Sequence, residues 1–203
     1  MKKVFLLAII SVLVFSLLAI SGITATSTHQ ASANDLTMVL DLKTKTYIVT
    51  DCDTKAAGEL TIPETFNSYP VTKIGNNAFK DCDSLTTIVL PKSITDIGEG
   101  AFMNCTSIES IGIPENVQSI GYYAFYNCKN LSQVKISSLK NWCNIEFSYE
   151  ASNPLLYAEK LYLDGKLVTD LVITEDISFV HNYAFYNCKS IKTLSFSDKT
   201  TTI

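Results

Sequence analysis

The sequence predicts a β-rich solenoid of the α/β class, in which successive coils of about 23 residues stack along one axis. Three observations predict this fold. A nine-residue segment recurs at a constant spacing, the same pattern of apolar residues follows each copy, and one unit buries too little apolar surface to offset its backbone entropy. Each coil therefore needs its neighbours in order to stay folded.

The recurring segment reads Ile-Gly-x-x-Ala-Phe-x-x-Cys and occupies residues 74–82, 97–105 and 120–128. Its phenylalanines, Phe79, Phe102 and Phe125, are spaced by 23 residues. Leucine, isoleucine or valine follows each cysteine at fixed offsets. A fourth copy lies at 180–188, 60 residues beyond the third, which predicts one irregular coil with an insertion between them.

The repeat resembles the BspA-like class of leucine-rich repeats, whose pattern it matches as Ile-Gly-x-x-Ala-Phe-x-x-Cys-x-x-Leu-x-x-Ile-x-Leu-Pro. The insertion is similar too, through Trp142-Cys143-Asn144-Ile145 and Asn153-Pro154-Leu155. This resemblance covers about residues 45–203. It implies a right-handed leucine-rich-repeat stack of short parallel strands and short helical turns. It also implies an extracellular protein linked to adhesion and to host or matrix contact.

The first residues are typical of a bacterial secretory signal peptide, because Lys2 and Lys3 precede an apolar run from 4 to 20. We predict a signal peptide at 1–33 with cleavage after Ala33, and Ala25 offers an alternative site. The run to Ile23 is also long enough for an uncleaved membrane anchor. Each alternative places the remaining chain outside the cytoplasm, secreted or at the cell surface.

The mature chain divides into an N-terminal hairpin or capping segment at 34–70 and a solenoid at 71–203. The strand-like runs 47–50 and 59–62 predict the hairpin. An atypical insertion at about 137–173 combines a short helix and loop with a strand, a tight turn at Asp164-Gly165 and a strand through Ile173. Ile203 occupies the opening position of a further coil, which predicts an incomplete C-terminal end.

The six cysteines are expected to remain free thiols. Four of them, Cys82, Cys105, Cys128 and Cys188, share one inward repeat position, where stacked parallel side chains do not converge as a disulfide requires. Cys52 and Cys143 are less constrained by the repeat, and unpaired thiols are expected there as well.

Composition and motifs argue against several classes of function. The formal net charge is −4, and all 16 basic residues are lysines, which makes nucleic acid a poor partner. The chain has neither a Cys-x-x-Cys pair nor a serine-hydrolase, metalloprotease or phosphate-loop motif. We therefore predict no metal, no cofactor and no enzymatic activity. Cys143 with His181 as its base would be a nucleophile pair that nothing in the spacing requires.

Two surfaces are candidates for binding, and an ordinary solvated surface is the alternative for each. The first is the outward, concave side of the predicted strands, where stacking aligns small and nearly neutral side chains. Its residues are Thr87, Val89, Ser110, Gly112, Gln133, Lys135, Thr193 and Ser195.

The second candidate is an aromatic face on the opposite side of the coils, where tyrosines flank the buried Ala-Phe pairs. Its residues are Tyr122, Tyr123, Tyr126, Tyr183 and Tyr186. An extracellular protein or matrix component is the expected partner. Glycan or cell-wall binding through the tyrosines is an alternative, as is an accessory scaffold role in a larger secreted enzyme. Membrane contact is expected only through an uncleaved signal segment.

Overall fold

The computed structural model describes residues 28–197. The strands are, in chain order, β1 (His29–Gln30), β2 (Leu36–Asp41), β3 (Thr46–Cys52), β4 (Ala56–Thr61), β5 (Thr65–Phe66), β6 (Tyr69–Ile74), β7 (Leu85–Val89), β8 (Asp96–Ile97), β9 (Ser110–Gly112), β10 (Ser119–Ile120), β11 (Gln133–Ile136), β12 (Glu146–Phe147), β13 (Leu161–Leu163), β14 (Lys166–Leu167), β15 (Asp170–Ile173) and β16 (Thr193–Phe196). The helices are α1 (Leu139–Cys143) and α2 (Leu155–Ala158), with 3-10 turns at Ala33–Asp35 and Glu150–Ser152.

The strands form a β-solenoid of about seven stacked coils of about 24 residues. A first sheet has the order β1-β4-β7-β9-β11-β13-β14, a second has the order β12-β10-β8-β6-β3-β2, and β15 pairs with β16. Regular coils contribute one strand to each main sheet, and these strands pair in parallel. The predicted fold class is confirmed.

The interior contains the repeated apolar residues in columns. The rings of Phe79 and Phe102 stack with centroids 5.2 Å apart, and those of Phe102 and Phe125 stack at 5.1 Å. All three rings are buried in one continuous core. The three phenylalanines therefore form one column, which joins the cores of successive coils.

Turns connect the two sheets, and their amides alternate between two kinds of partner. Asn77, Phe79 and Asp81 donate their N–H groups to carbonyls of the next coil at 2.8 to 2.9 Å. Ala78 and Lys80 donate instead to carbonyls three residues back in their own coil. Because half of the donors serve the neighbouring coil, the regular turns are not helical. Within residues 28–197, the expected helical turns occur as α1, α2 and the two 3-10 turns.

The repeated glycines permit close approach between coils. A Cβ on Gly75 would lie 2.8 Å from the carbonyl oxygen of Val49, and one on Gly121 would lie 2.6 Å from the amide nitrogen of Glu99. Gly98 is equally crowded by Asn76. None of these three glycines has a positive φ. The glycine therefore recurs because the backbone of the preceding coil occupies the space of a side chain.

The N-terminal hairpin differs from the one expected. The strand containing 47–50 is β3, but its antiparallel partner is β2, whereas 59–62 falls largely in β4 and pairs in parallel with β7 in the first sheet. The hairpin turn is closed by Asp41, whose carbonyl accepts the amide of Lys45 at 2.8 Å. Three residues separate β3 from β4, and the chain crosses between the two sheets there.

The apolar run and Ile203 lie outside the described residues, since these exclude 1–27 and 198–203. Residues 28–33 are part of the fold. The His29 amide donates to the Lys55 carbonyl at 3.0 Å, and that of Ala31 donates to Ala57 at 2.8 Å. The predicted boundary after Ala33 thus falls within a 3-10 turn capped by Ser32. Within 28–197, the helices are too short or too polar to cross a bilayer.

The inserted coil replaces missing backbone contacts with side chains. The indole Nε1 of Trp142 donates to the carbonyl of Ala184 at 2.8 Å, and Nδ2 of Asn153 donates to the same oxygen at 3.1 Å. On the other side, the Tyr157 hydroxyl accepts the amide of Asn127 at 2.9 Å. The Trp142 side chain is buried. The inserted coil therefore continues the stack of coils, although it lacks the repeat sequence.

The predicted strand, turn and strand of the insertion are present in modified form. β13 and β14 pair antiparallel around Asp164-Gly165, but the second predicted strand is split, and its continuation β15 pairs in parallel with β16. At β16, the inward repeat residues Leu194 and Phe196 are 54% and 43% exposed.

A matched pair of glycine substitutions tests the close approach between coils. Gly121→Ala should lower the free energy of unfolding by about 1–3 kcal/mol, because its Cβ would overlap the adjacent backbone. Gly112→Ala should be neutral or stabilise by up to about 1 kcal/mol, since that Cβ would meet nothing within 4 Å. Urea unfolding measures both. Equal effects at the two positions would contradict the packing described.

Candidate functional site

The outer face of the first sheet brings six of the eight predicted residues together. Thr87, Ser110 and Gln133 occupy paired positions on β7, β9 and β11, and Gly112 lies beside Lys135. All of the six except Gln133 line a groove of about 390 Å³, here called the first-sheet groove, whose lining is Thr87, Ile88, Val89, Leu90, Lys92, Ser110, Gly112, Ile113, Pro114, Glu115, Lys135, Ile136 and Ser137.

Gly112 makes a notch in the middle of this groove. A Cβ there would have open space around it, unlike the glycines between coils. Exposed Val89 and Lys135 flank the notch, and Nζ of Lys135 donates to Oγ of Ser110 at 3.1 Å. The groove thus combines apolar surface, a hydroxyl and one ammonium group, which suits an extended chain carrying a side chain that fills the notch.

The predicted continuous strip is wrong at its far end. Thr193 and Ser195 are exposed on β16, whereas the strand next to β11 is β13, in which Tyr162 pairs with Lys135. β16 pairs with β15 in a separate two-stranded sheet. The inserted strands interrupt the alignment because they occupy the place that a regular next coil would take.

The tyrosines of the predicted aromatic face are exposed, with fractions of 37% to 50%. Tyr149 joins them, with its ring centroid 6.4 Å from Tyr122 and 6.0 Å from Tyr183. Tyr183 lies 6.2 Å from Tyr186. We call the four residues Tyr122, Tyr149, Tyr183 and Tyr186 the tyrosine strip. Tyr123 and Tyr126 form a separate edge-on pair at 5.7 Å.

Sequence reasoning missed Tyr149 because the insertion changes the spacing. Ile120 pairs with Phe147 across β10 and β12, a separation of 27 residues. Tyr149 therefore follows Phe147 as Tyr122 follows Ile120. Aligning the inserted coil at this longer spacing is the signal that would have found it.

Two tyrosines adopt a backbone conformation that disfavours bulky residues. Tyr123 has φ 55° and Tyr183 has φ 67°, at the turn position held by Asn77 and Gly100 in earlier coils. Glycine and asparagine tolerate this left-handed region, whereas a bulky side chain there costs about 1 kcal/mol. Tyrosines thus occupy positions at which other coils carry residues better suited to the turn.

The second sheet carries a groove that sequence reasoning did not find. Lys73, Asp96, Ser119 and Glu146 occupy paired positions across β6, β8, β10 and β12. The second-sheet groove has a volume of about 420 Å³, and its lining includes Lys73, Asn76, Asp96, Glu99, Ser119, Tyr122 and Ser148. It therefore ends at the first ring of the tyrosine strip.

Asp96 is held in this groove by polar partners. Its carboxylate accepts from Oγ of Ser119 at 2.8 Å and from Oγ1 of Thr95 at 2.8 Å, and it lies 3.2 Å from Nζ of Lys73. Partial burial acts to raise the pKa of Asp96, but these hydrogen bonds and the lysine charge outweigh it and lower the pKa. The groove therefore presents a fixed negative charge.

A second polar cluster lies near the N-terminal end. His29, Asp35 and Asp53 place their ligand atoms within 4.8 Å of one another. Nε2 of His29 lies 2.6 Å from Oδ1 of Asp35, and Oδ2 of Asp35 accepts the Ser32 amide at 2.7 Å. Hydrogen bonds within the protein account for this geometry, which caps the first 3-10 turn.

Cys143 and His181 are neighbours through their backbones, since the His181 amide donates to the Cys143 carbonyl at 2.8 Å. The Cys143 side chain is buried, and burial raises the pKa of its thiol to about 12. A nucleophilic cysteine needs the opposite shift and solvent access. The arrangement is that of a packed core thiol.

The six cysteines are free, and five of them are buried. Sγ of Cys105 donates to the Phe79 carbonyl at 3.0 Å, and Sγ of Cys128 donates to that of Phe102 at 3.1 Å. Burial raises the pKa of Cys128 to about 12 and holds that of Cys105 well above its usual value. The repeated thiol therefore acts as a small apolar residue that hydrogen-bonds the preceding coil.

These features define a leucine-rich-repeat protein. A family model for the BspA type leucine-rich repeat region matches six copies over residues 53–154 and 158–203. The chain belongs to this BspA-type leucine-rich-repeat family. No curated protein sequence matches the chain.

Solved structures of bacterial leucine-rich-repeat proteins share the fold. The chain is 19% identical to a T. pallidum leucine-rich-repeat protein, with a TM-score of 0.50 over 83% of this chain and 86% of that one. A leucine-rich-repeat protein from Bacteroides capillosus is 27% identical, with a TM-score of 0.54 over 68% of this chain and 99% of that one.

A leucine-rich cell surface protein from Faecalibacterium prausnitzii is 19% identical, with a TM-score of 0.52. The similarity covers 80% of this chain but 38% of that longer one. Proteins of this family are typically bacterial surface proteins, and the repeat is typical of protein-interaction scaffolds without catalytic activity.

Alkylation tests the assignment of the thiols to the core. In native protein at pH 8, Cys105 and Cys128 should react at least about a hundredfold more slowly than in urea, because burial keeps them neutral and inaccessible. Half-buried Cys188 should react first. Mass spectrometry of the adducts measures each rate, and six adducts in urea serve as the control. Rapid native labelling of Cys105 would contradict the assignment.

Proposed function

We propose that the chain is an exported, non-enzymatic binding module that receives an extracellular protein or matrix component in the first-sheet groove. The observation that carries this proposal is the notch at Gly112, a gap in an otherwise continuous row of outward side chains. The scaffold around the notch is rigid because its strands pair on both sides. A preformed groove binds at a lower entropic cost than a flexible one.

The chemistry of the groove favours a peptide segment as the occupant. Its floor includes Ile113 and Pro114, so an apolar partner side chain can be buried in the notch. Lys135 then lies at hydrogen-bonding range of a partner carboxylate, while Ser110 and Thr87 offer hydroxyls. Glu115 and Lys92 also line the groove, and their opposite charges would orient a bound peptide.

Export from the cell is part of the proposal, and the fold favours one of the two candidate signal-peptide cleavage sites. Cleavage after Ala33 would remove β1, with its pairing to β4, and the capping serine of the first 3-10 turn. Cleavage after Ala25 would leave all of these in the mature chain. We therefore favour Ala25, and we place the mature protein at the cell surface or in the medium.

Filling the notch tests the proposal. Gly112→Tyr should leave the fold intact, because a side chain there meets open space on an exposed strand. It should also weaken binding by about tenfold or more, since the ring would occupy the space of the partner side chain. The measurement is retention of solubilised extracellular-matrix proteins on the immobilised full chain, followed by affinity determination for each retained protein.

The matched control is Tyr126→Ala, a change at an exposed residue outside the groove. A protein that binds through the groove should be retained by wild type and by Tyr126→Ala, but not by Gly112→Tyr. If the retained proteins bind Gly112→Tyr and wild type with equal affinity, the first-sheet groove is not the binding site.

A further inference from the structure

We propose that the tyrosine strip is a second binding site and that its ligand is a neutral polysaccharide chain. The site is separate from the first-sheet groove, and it is formed by different elements of the coils. The second-sheet groove, which ends at Tyr122, extends it with polar groups.

The strip is continuous across three successive coils. Tyr122, Tyr149 and Tyr183 come from the third regular coil, the inserted coil and the last coil, with centroid separations of 6.4 and 6.0 Å. The rings are exposed and tilted by 30° and 60° to one another. A row of similar rings along the stack favours a ligand that itself repeats, and a twisted row favours a twisted chain over a flat crystalline surface.

Aromatic rings suit sugars because a pyranose presents one face of C–H groups and a rim of hydroxyls. The phenol groups can hydrogen-bond that rim while the rings contact the apolar face. The negative charge of nearby Glu150 raises the pKa of the Tyr186 hydroxyl. A carboxylate therefore lies beside the strip.

The backbone supplies an independent argument. Tyr183 is held at a turn position that disfavours bulky side chains, where an earlier coil has Gly100. Its ring is nevertheless 37% exposed, so burial in the core does not offset the strain in full. Strain of this kind is found where a side chain serves binding and the surrounding structure holds it in place.

The negative charge around the tyrosine strip favours neutral over anionic carbohydrates. Asp96 and Glu99 line the adjoining groove, Glu146 lies on its outermost strand, and Glu150 lies at the strip. Lys73 is paired with Asp96 at 3.2 Å, so the charge of Asp96 largely compensates that of the lysine. Sulfated or phosphorylated glycans would be repelled, whereas carboxylates and amides hydrogen-bond neutral sugar hydroxyls well.

The experiment uses the full chain against soluble starch, swollen amorphous cellulose and colloidal chitin, with heparin as the anionic probe. Wild type should bind at least one neutral polymer and not heparin. Tyr149→Ala should weaken that binding by about fivefold or more through the loss of one ring contact. Tyr69→Ala is the matched control, an exposed tyrosine on β6 outside the strip, and it should bind as wild type does.

Tyr183→Asn separates a binding role from a structural one. Asparagine tolerates the left-handed backbone, so this variant should melt at the same or a higher temperature than wild type while losing polysaccharide affinity. A lower melting temperature with unchanged affinity would assign the ring to packing and overturn the proposal.

Gly112→Tyr should leave polysaccharide binding unchanged, which keeps the two proposed sites distinguishable. If folded wild type binds none of the neutral polymers, or if Tyr149→Ala and Tyr69→Ala behave alike, the proposal is wrong. It is also wrong if strip variants lose a matrix protein while no polymer binds, because the strip would then be a protein interface.

Discussion

Backbone contact between successive coils is the constraint on which the rest of the structure depends. At each regular turn, alternate amides donate to the next coil, and the repeated glycine leaves the space that this contact requires. The phenylalanine column and the thiols fill the interior behind it. A coil on its own would have unpaired amides and an exposed core, so order in one coil requires order in its neighbours.

The same constraint separates structural positions from functional ones. Inward residues are restricted by their stacked neighbours, whereas outward residues on the two sheets and at the turns are free to vary. A gap such as Gly112, or a tyrosine at a left-handed turn, is therefore not explained by stacking alone. Both proposed sites begin from outward features of this kind, on a scaffold that holds them rigidly.

The period, the phenylalanine column and the inserted coil could be predicted from sequence, because inward burial repeats with the coil and leaves a direct apolar signal. Three features could not be predicted: the strand that pairs with β3, the separation of Ser195 from the residues of the first-sheet groove, and the second-sheet groove. These features depend on which strands are neighbours in a sheet. The insertion interrupts the regular repeat spacing on which the sequence prediction was based. Tyr149 was missed for the same reason, although a 27-residue offset relates it to Tyr122.

Amide hydrogen exchange in Phe102→Ala tests the interdependence of the coils most directly. Removing the central ring should accelerate exchange at the turn amides of the mutated coil and equally in the coils of Phe79 and Phe125, because both stack on it. Glu109→Ala, an exposed change in the same coil, should leave the pattern unchanged. Faster exchange confined to residues 97–113, with full protection in the neighbouring coils, would contradict a shared interior.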